Sequence, residues 1–308
     1  MQSENYARIA KKHAQELGFS FCGIAQAEFL EEEAPRLEKW LKQGFHGDMG
    51  WMNENFDKRL DPRLLVEGAQ SVISVLYNYA PPQTLFEDEQ NFKISRYAYG
   101  KDYHKVIKKK LKDYIQLLKK DIGDFNGRAF VDSAPVMDKV WAKKAGLGWI
   151  GKHSNLINPK QGSYFFIAEL ILDVRMQPDA PIRDYCASCR LCIDACPTQA
   201  IVEPYRVDAQ KCIPYLTIEL KTQLPENMKG SYQQWIFGCD ICQEVCPWTR
   251  RSKPHQEPAF MPNEWLAGMK KQDWIEMTEE TFEKVFASSP VKRTKFEGLK
   301  RNILFLNE

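Results

Sequence analysis

Eight of the nine cysteines of this 308-residue chain lie between Cys186 and Cys246, and their spacing constrains the fold more than any other feature. The first run reads Cys186-x2-Cys189-x2-Cys192-x3-Cys196-Pro197. The second reads Cys239-x2-Cys242-x3-Cys246-Pro247, with Cys212 between the two. An x2 spacing lets one tight loop present successive thiolates to a cubane, and the x3 step throws the next cysteine towards the other cluster. This rule places one [4Fe-4S] cluster on Cys186, Cys189, Cys192 and Cys246. The second takes Cys196, Cys239, Cys242 and, by elimination, Cys212. Zinc is the competing reading, because it also favours C-x2-C pairs. Three cysteines at x2, x2 followed by x3-Cys-Pro, with the Cys-Pro ending repeated, favour iron–sulfur. Cys22, alone in an apolar segment, reads as an ordinary buried thiol.

With 44% hydrophobic residues the chain can bury a sizeable core, divided by length into about two domains. No apolar run approaches 18 residues, and the N-terminus shows no export signal, so a cytoplasmic protein, with no membrane partner, is expected. There, clustered cysteines serve as metal ligands rather than disulfides. Net charge is only +2, but lysine and arginine gather at 105–120, 250–253 and 292–301, where they form either solvated faces or phosphate contacts.

The pattern predicts a helix over 4–17, with Ser3 as its N-cap and Gly18 as its stop, then a strand over 19–25 and a helix over 37–42. Strands are expected at 71–79, 128–131 and 164–172, with a helical segment over 136–145. Val106, Ile107, Leu111, Tyr114, Ile115, Leu118 and Ile122 recur at helical spacing within 102–122, which predicts a long surface helix. Helices and strands mix without a clean βαβ repeat, so the fold class is α+β. Composition changes at 178–181. The expected division is a catalytic domain at 1–178, a two-cluster ferredoxin-like domain at 179–255 and a basic, helical extension at 256–308, with helices near 263–270 and 279–286.

Two clusters form an electron wire and leave the reaction undefined. The long segment before them is more than a carrier needs, and it should hold a second redox centre or a substrate. Three stretches of it are rich in special residues: Ile-Ser-Arg-Tyr-Ala-Tyr-Gly-Lys-Asp-Tyr-His at 94–104, Phe-Val-Asp-Ser-Ala-Pro-Val-Met-Asp at 130–138, and Gly-Leu-Gly-Trp-Ile-Gly-Lys-His-Ser-Asn at 146–155. Asp132 closes an apolar strand before a turn. Partial desolvation there would raise its pKa and suit it to donate a proton, although an Asp capping the next helix explains the position equally well. The glycine-rich stretch offers close backbone approach to a phosphate or a corrin side chain, but matches neither G-x-G-x-x-G nor a P-loop.

These stretches, with Gly-Ser-Tyr-Phe-Phe-Ile-Ala-Glu-Leu at 162–170 and the double cysteine run in this order, resemble the epoxyqueuosine reductase family of tRNA queuosine synthesis. The similarity spans residues 19 to about 251. Members often carry a C-terminal helical-repeat domain, which a chain ending at 308 does not contain. The resemblance implies an N-terminal cobalamin-binding α/β domain, related to reductive dehalogenases, beside one of the clusters. Asp102-x-His104 approaches the D-x-H-x2-G signature of base-off cobalamin proteins but has Ile107 where glycine is needed, so His104 is a poor cobalt ligand. By matched motif, the resemblance implies that Ser95, Arg96, Asp132, His153, Ser154 and Asn155 line the corrin, with Asp132 as proton donor. Some relatives carry a cysteine in the 95–100 stretch; this chain has none there.

The implied activity is reduction of the epoxide of epoxyqueuosine in tRNA to the alkene of queuosine, by a monomer fed from an external electron donor. A tRNA substrate gives the basic patches a use. Arg206, Lys211, Lys221, Arg250, Arg251 and Lys253 are the candidate contacts to its anticodon loop. Two other readings remain: a corrinoid reductive dehalogenase, which usually carries an export signal, and a cluster-bearing electron-transfer subunit, which would bind no corrinoid.

Overall fold

The computed structural model describes residues 1–86, 88 and 90–307. Helix α1 (Gln2–Glu16) buries Ala7, Ala10, His13 and Ala14 along one stripe. Ser3, expected as its N-cap, lies inside the first turn, because the helix starts earlier and the terminal ammonium pairs with Glu4 at 3.0 Å. After strand β1 (Phe21–Gln26) comes helix α2 (Ala34–Lys42), and then strand β2 (Ser71–Asn78), buried along nearly all its length. Helix α3 (Tyr103–Ile122) is capped by the Asp102 side chain, which accepts from the His104 amide, and it ends at Gly123. It buries Tyr103, Ile107, Leu111, Tyr114 and Leu118, the stripe that its periodicity predicts, and its lysines stay outside.

Strand β3 (Gly127–Phe130), helix α4 (Asp138–Lys144) and strand β4 (Phe165–Leu172) complete the first half of the chain. The four strands form one antiparallel sheet in the order β1-β2-β4-β3, with β2 and β4 paired from Ser71↔Leu172 to Asn78↔Phe165. Side chains alternate across it. Ile73, Val75, Tyr77, Phe166, Ala168 and Leu170 face α1 and α3; Val72, Leu76, Phe165 and Ile171 face α4. Each such aliphatic side chain removed from water contributes about 1.5–3 kcal/mol, so a sheet covered on both faces is the chief stabilising element. This is the expected α+β class.

The cysteine-bearing segment is built on short helices, Leu191–Asp194 and Ile241–Glu244, a hairpin of Ile201–Glu203 with Arg206–Val207, and a π-helical turn at Tyr215–Glu219. A parallel strand pair joins Lys93–Ile94 to Trp235–Phe237. Beyond it, Trp274, Phe282, Phe286, Leu299 and Ile303 of the C-terminal helices pack with Phe92, Ile94 and Tyr99 in one core. Phe260 joins the core of the first sheet face. Apolar side chains from both sides of the division expected at 255/256 therefore pack together. Among the described residues, no helix is long and apolar enough to cross a membrane.

Candidate active site and metal centres

Four of the eight clustered cysteines share one cavity, and the other four lie within electrostatic range of one another. Cys186, Cys189, Cys192 and Cys246 line one cavity of about 250 Å³, together with Trp149's neighbours Lys152, His153, Tyr185 and Trp248. Cys246 comes from the second run, so the chain crosses over as the x3 spacing predicts. In the other group, Cys242 and Cys239 lie within electrostatic range of Cys212, and Cys212 within range of Cys196. The Thr217 hydroxyl holds that group's geometry: it donates to the Ile213 carbonyl at 2.7 Å and accepts from the Gly238 amide at 3.0 Å. This ties the loop after Cys212 to the loop before Cys239.

Burial pushes the Cys192 thiol up to about 11 and the Cys212 thiol up to about 12, with neighbouring cysteines adding to the effect. Four converging thiols of this kind stay protonated on their own, and a bound cation is what converts them to thiolates. The donor sets thus fit iron–sulfur clusters. Around the first group, the Trp149 indole N–H donates to Cys186 Sγ at 3.4 Å, and the Lys152 ammonium donates to the Ala187 and Cys189 carbonyls at 2.5 and 2.8 Å. Cys22 behaves as expected of a buried thiol, raised to about 12 chiefly by burial and set 3.7 Å from the Tyr114 hydroxyl.

Ser95 and Arg96 do not turn their polar atoms to an open cleft. The Ser95 hydroxyl donates to Asp240 Oδ1, and the Arg96 amide donates to Asp240 Oδ2 at 2.8 Å. The Arg96 guanidinium donates to Glu244 at 2.6 Å and to the Tyr164 hydroxyl at 3.0 Å. Asp240 sits between Cys239 and Cys242, so the 95–104 stretch is fastened to the second cysteine group. Only glycine permits this approach: Gly238 has φ +67, and a Cβ there would lie 2.6 Å from that of Ser95.

Asp132 lies just past β3 in the left-handed region, φ +54. The Tyr103 hydroxyl donates to its Oδ2, and His104 Nε2 is 3.8 Å from the same oxygen. His104 Nδ1 is 2.8 Å from Asp102 Oδ1, so Asp102, His104 and Asp132 form a line of proton-carrying groups. Tyr103 is fixed by stacking on Phe166, with ring centroids 4.1 Å apart. The desolvation expected at Asp132 is absent: its side chain is 59% exposed, because the loop ends the sheet instead of packing beneath it. Burial raises the carboxyls of Asp138, Glu169 and Asp240.

Lys139 joins these parts. Its ammonium donates to Asn155 Oδ1 at 3.2 Å, and it lies in electrostatic range of Asp132, Asp138, Cys242 and Cys212. Surrounding protein lowers its pKa, although the side chain keeps surface open to water. Tyr97 and Arg293 also lie in electrostatic range of Asp132. His153 instead lines the first cysteine cavity, with Nε2 buried and unpartnered, and Ser154 donates to the Tyr205 carbonyl at 3.1 Å. The glycines of the 146–155 stretch are not a ligand cradle: a Cβ at Gly148 would meet the Ile157 carbonyl at 2.2 Å, so the hairpin's own backbone fills that space.

Of the basic candidates, Lys211, Arg250, Arg251 and Lys253 are exposed. Arg251 lies over the Trp248 ring and donates to the Pro159 carbonyl at 2.8 Å. Arg206 is paired with Glu203 at 2.8 Å, and the Lys221 ammonium donates to the Ile218 carbonyl at 2.7 Å. Tyr103, Lys139, Asp240 and Glu169 were not singled out in the sequence, and Arg293 only as part of a basic patch. Glu169 alone left a signal there, as the one charge in an apolar eight-residue strand.

Comparison with known proteins accounts for this arrangement. A family model described as "Epoxyqueuosine reductase QueG, DUF1730" matches residues 59–133, and one described as "4Fe-4S double cluster binding domain" matches residues 185–249. The epoxyqueuosine reductase of Leadbetterella byssophila is 62% identical over 304 residues, covering 99% of both chains. That of Escherichia coli (strain K12) is 41% identical, covering 96% of this chain and 79% of its own. A crystal structure of epoxyqueuosine reductase with an epoxyqueuosine-modified tRNA-Tyr stem loop superposes with a TM-score of 0.87 at 28% identity, over 97% of this chain and 80% of the other. A Bacillus subtilis epoxyqueuosine reductase, with its catalytic aspartate loop swung out of the active site, gives 0.88 at 27% identity over the same shares. With identity this high over essentially its whole length, the chain belongs to the epoxyqueuosine reductase family.

Proposed function

We propose that this chain reduces the epoxide of epoxyqueuosine in tRNA to the alkene of queuosine, consuming two electrons and two protons and releasing water. The observation that carries this reading is that Asp132, a tyrosine-bound and water-accessible carboxylate, and the Cys212 and Cys242 group lie within electrostatic range of the same ammonium, Lys139. An acid and an electron source thus meet at one place.

The residues around Asp132 fit a cobalamin. Exposed Asp132 and Lys139, half-buried Asn155, and Tyr97 and Arg293 within electrostatic range of Asp132 offer donors and acceptors of both signs to amide side chains. Cys196, Cys212, Cys239 and Cys242 would hold the cluster beside it, and Cys186, Cys189, Cys192 and Cys246 the distal one. Once bound, these groups supply low-potential electrons, taken singly from an external donor and delivered as the pair the epoxide needs.

The chain's own residues do the rest. Asp132 gives its proton to the oxygen leaving carbon, which turns a poor leaving group into a good one. Tyr103 orients the Asp132 carboxyl, and Asp102 holds His104 so that Nε2 faces it. Ser95 and Arg96 act through Asp240, keeping their stretch in register with the second cysteine group. Arg250, Arg251, Lys253 and Lys211 would neutralise tRNA phosphates; Arg206 and Lys221, already engaged within the protein, would contribute less.

The test is anaerobic incubation of metal-loaded protein and cobalamin with tRNA containing epoxyqueuosine, followed by nucleoside mass analysis. Loss of one oxygen atom from the modified base is expected. Retention of that oxygen, with clusters and corrinoid both bound, would overturn the proposal.

A further inference from the structure

Beneath the Asp132 loop lies a second group of polar side chains that the steps above do not use. Glu169 of β4 and Ser74 of β2 are register partners, both fully buried, on the sheet face covered by α4. Asp138, the first residue of α4, faces the Glu169 carboxyl. Neither Glu169 oxygen receives a hydrogen bond, and Asp138 Oδ1 and Ser74 Oγ are likewise buried without a partner.

Charges from the packed elements do not resolve this. Arg59 and Lys139 lie within electrostatic range of Asp138, but the Arg59 guanidinium donates to the Trp51 carbonyl at 2.7 Å and Lys139 donates to Asn155. Asp132 is a third carboxyl within electrostatic range of both. Two carboxyl groups that face each other without an outside donor are stable only when one keeps a proton, which then supplies the missing hydrogen bond. Burial raises both groups, Glu169 well above the usual carboxylate range.

We propose that Glu169 and Asp138 share one proton at neutral pH, and that this proton reloads Asp132 after Asp132 has protonated the departing oxygen. The inference rests on the reduction reading above, in which each turnover consumes two protons while Asp132 carries one. An O–H bond breaks within the pair and one forms on Asp132; no electrons move. Solvent refills the pair after product leaves. Glu169 acts through Asp132 and is a positioning residue.

Two measurements on metal-loaded protein test this. Infrared spectra of the wild type at neutral pH should show a protonated-carboxyl C=O band that is lost or shifted in Glu169→Gln and in Asp138→Asn. Single-turnover reduction of an epoxyqueuosine-bearing stem loop should slow about tenfold or more in Glu169→Gln, with the deficit growing as pH rises and shrinking where solvent protons are plentiful. Should Glu169→Gln not accumulate as folded protein, Asp138→Asn carries the same test. Absence of the band in wild type, or a wild-type rate and pH profile in the folded variant, overturns the proposal. Full turnover in Asp132→Asn would overturn the acid role instead and leave the infrared result standing, so the two failures are distinguishable.

Discussion

The Arg96 amide donates to Oδ2 of Asp240 at 2.8 Å, and through this bond a loop of the sheet half is locked to the residue between Cys239 and Cys242. Asp240 is 1% exposed and the Arg96 side chain 12%. Removing one partner of a buried charge pair leaves the other uncompensated, at a cost of about 3–5 kcal/mol. Asp240→Ala, which removes the acceptor of this bond and leaves the Arg96 guanidinium with Glu244 alone, should therefore lower the unfolding midpoint by roughly 10 °C and reduce iron content. Calorimetry and iron analysis check this; an unchanged midpoint with full iron would refute the coupling.

The crossed cysteine grouping makes a separate prediction. Cys246→Ala should abolish the cluster whose remaining ligands are Cys186, Cys189 and Cys192, and Cys196→Ala should abolish the other. Each variant should retain about half of the iron, with a distinct residual paramagnetic signal after reduction. If Cys246→Ala removed the same cluster as Cys239→Ala, the grouping would be incorrect.

Asp132→Asn should lower the rate of epoxide reduction by about 10²–10⁴-fold, with iron and cobalamin content unchanged. Tyr103→Phe, which removes the hydroxyl donated to Asp132 but keeps the ring stacked on Phe166, should give a smaller loss. Single-turnover rates compare the two, and equal losses would show that Tyr103 does more than orient the acid.

Burial, followed by the nearby Lys139 charge, pushes the His153 imidazole down to about 4. The unfolded chain takes up this proton near the ordinary value of about 6.5, so the unfolded state gains protons before the folded one as pH falls. Stability tied to His153 is intact above about pH 7, declines between about 6.5 and 4, and its full span is about 3 kcal/mol. Urea unfolding at pH 7.5 and pH 5 should show a larger loss in wild type than in His153→Gln; parallel losses would contradict the shift.

Affinity for tRNA should fall as salt rises, and the logarithmic slope should shrink by roughly 0.7–0.9 for each phosphate contact removed. Arg250→Ala, Arg251→Ala and Lys253→Ala, combined, test this by titration at several salt concentrations. Arg206→Ala should change the slope less, since its guanidinium is already paired with Glu203.

Local chemistry was legible in the sequence. The cysteine spacings predicted two crossed groups because short loops leave a thiolate little freedom, and the apolar stripe of α3 and the runs of β2 and β4 predicted their elements because periodicity is a local property. Ser3 and the glycines of 146–155 were less legible. Whether a serine caps a helix, or a glycine faces a ligand instead of Ile157, depends on what lies opposite in space.

The site shows the same division. That Asp132 ends a strand could be read along the chain, but its exposure could not, because burial is decided by neighbours distant in sequence. The fastening of Ser95 and Arg96 to Asp240, the reach of Lys139 to Cys212 and Cys242, and the meeting of Asp138 with Glu169 all join segments that are separate along the chain. The sequence by itself determined which groups carry the chemistry and how the cysteines divide; only the tertiary structure decided which carboxyl is buried and which is open to water. Those properties follow from electric field and solvent access, and both are set by atoms that folding alone brings near.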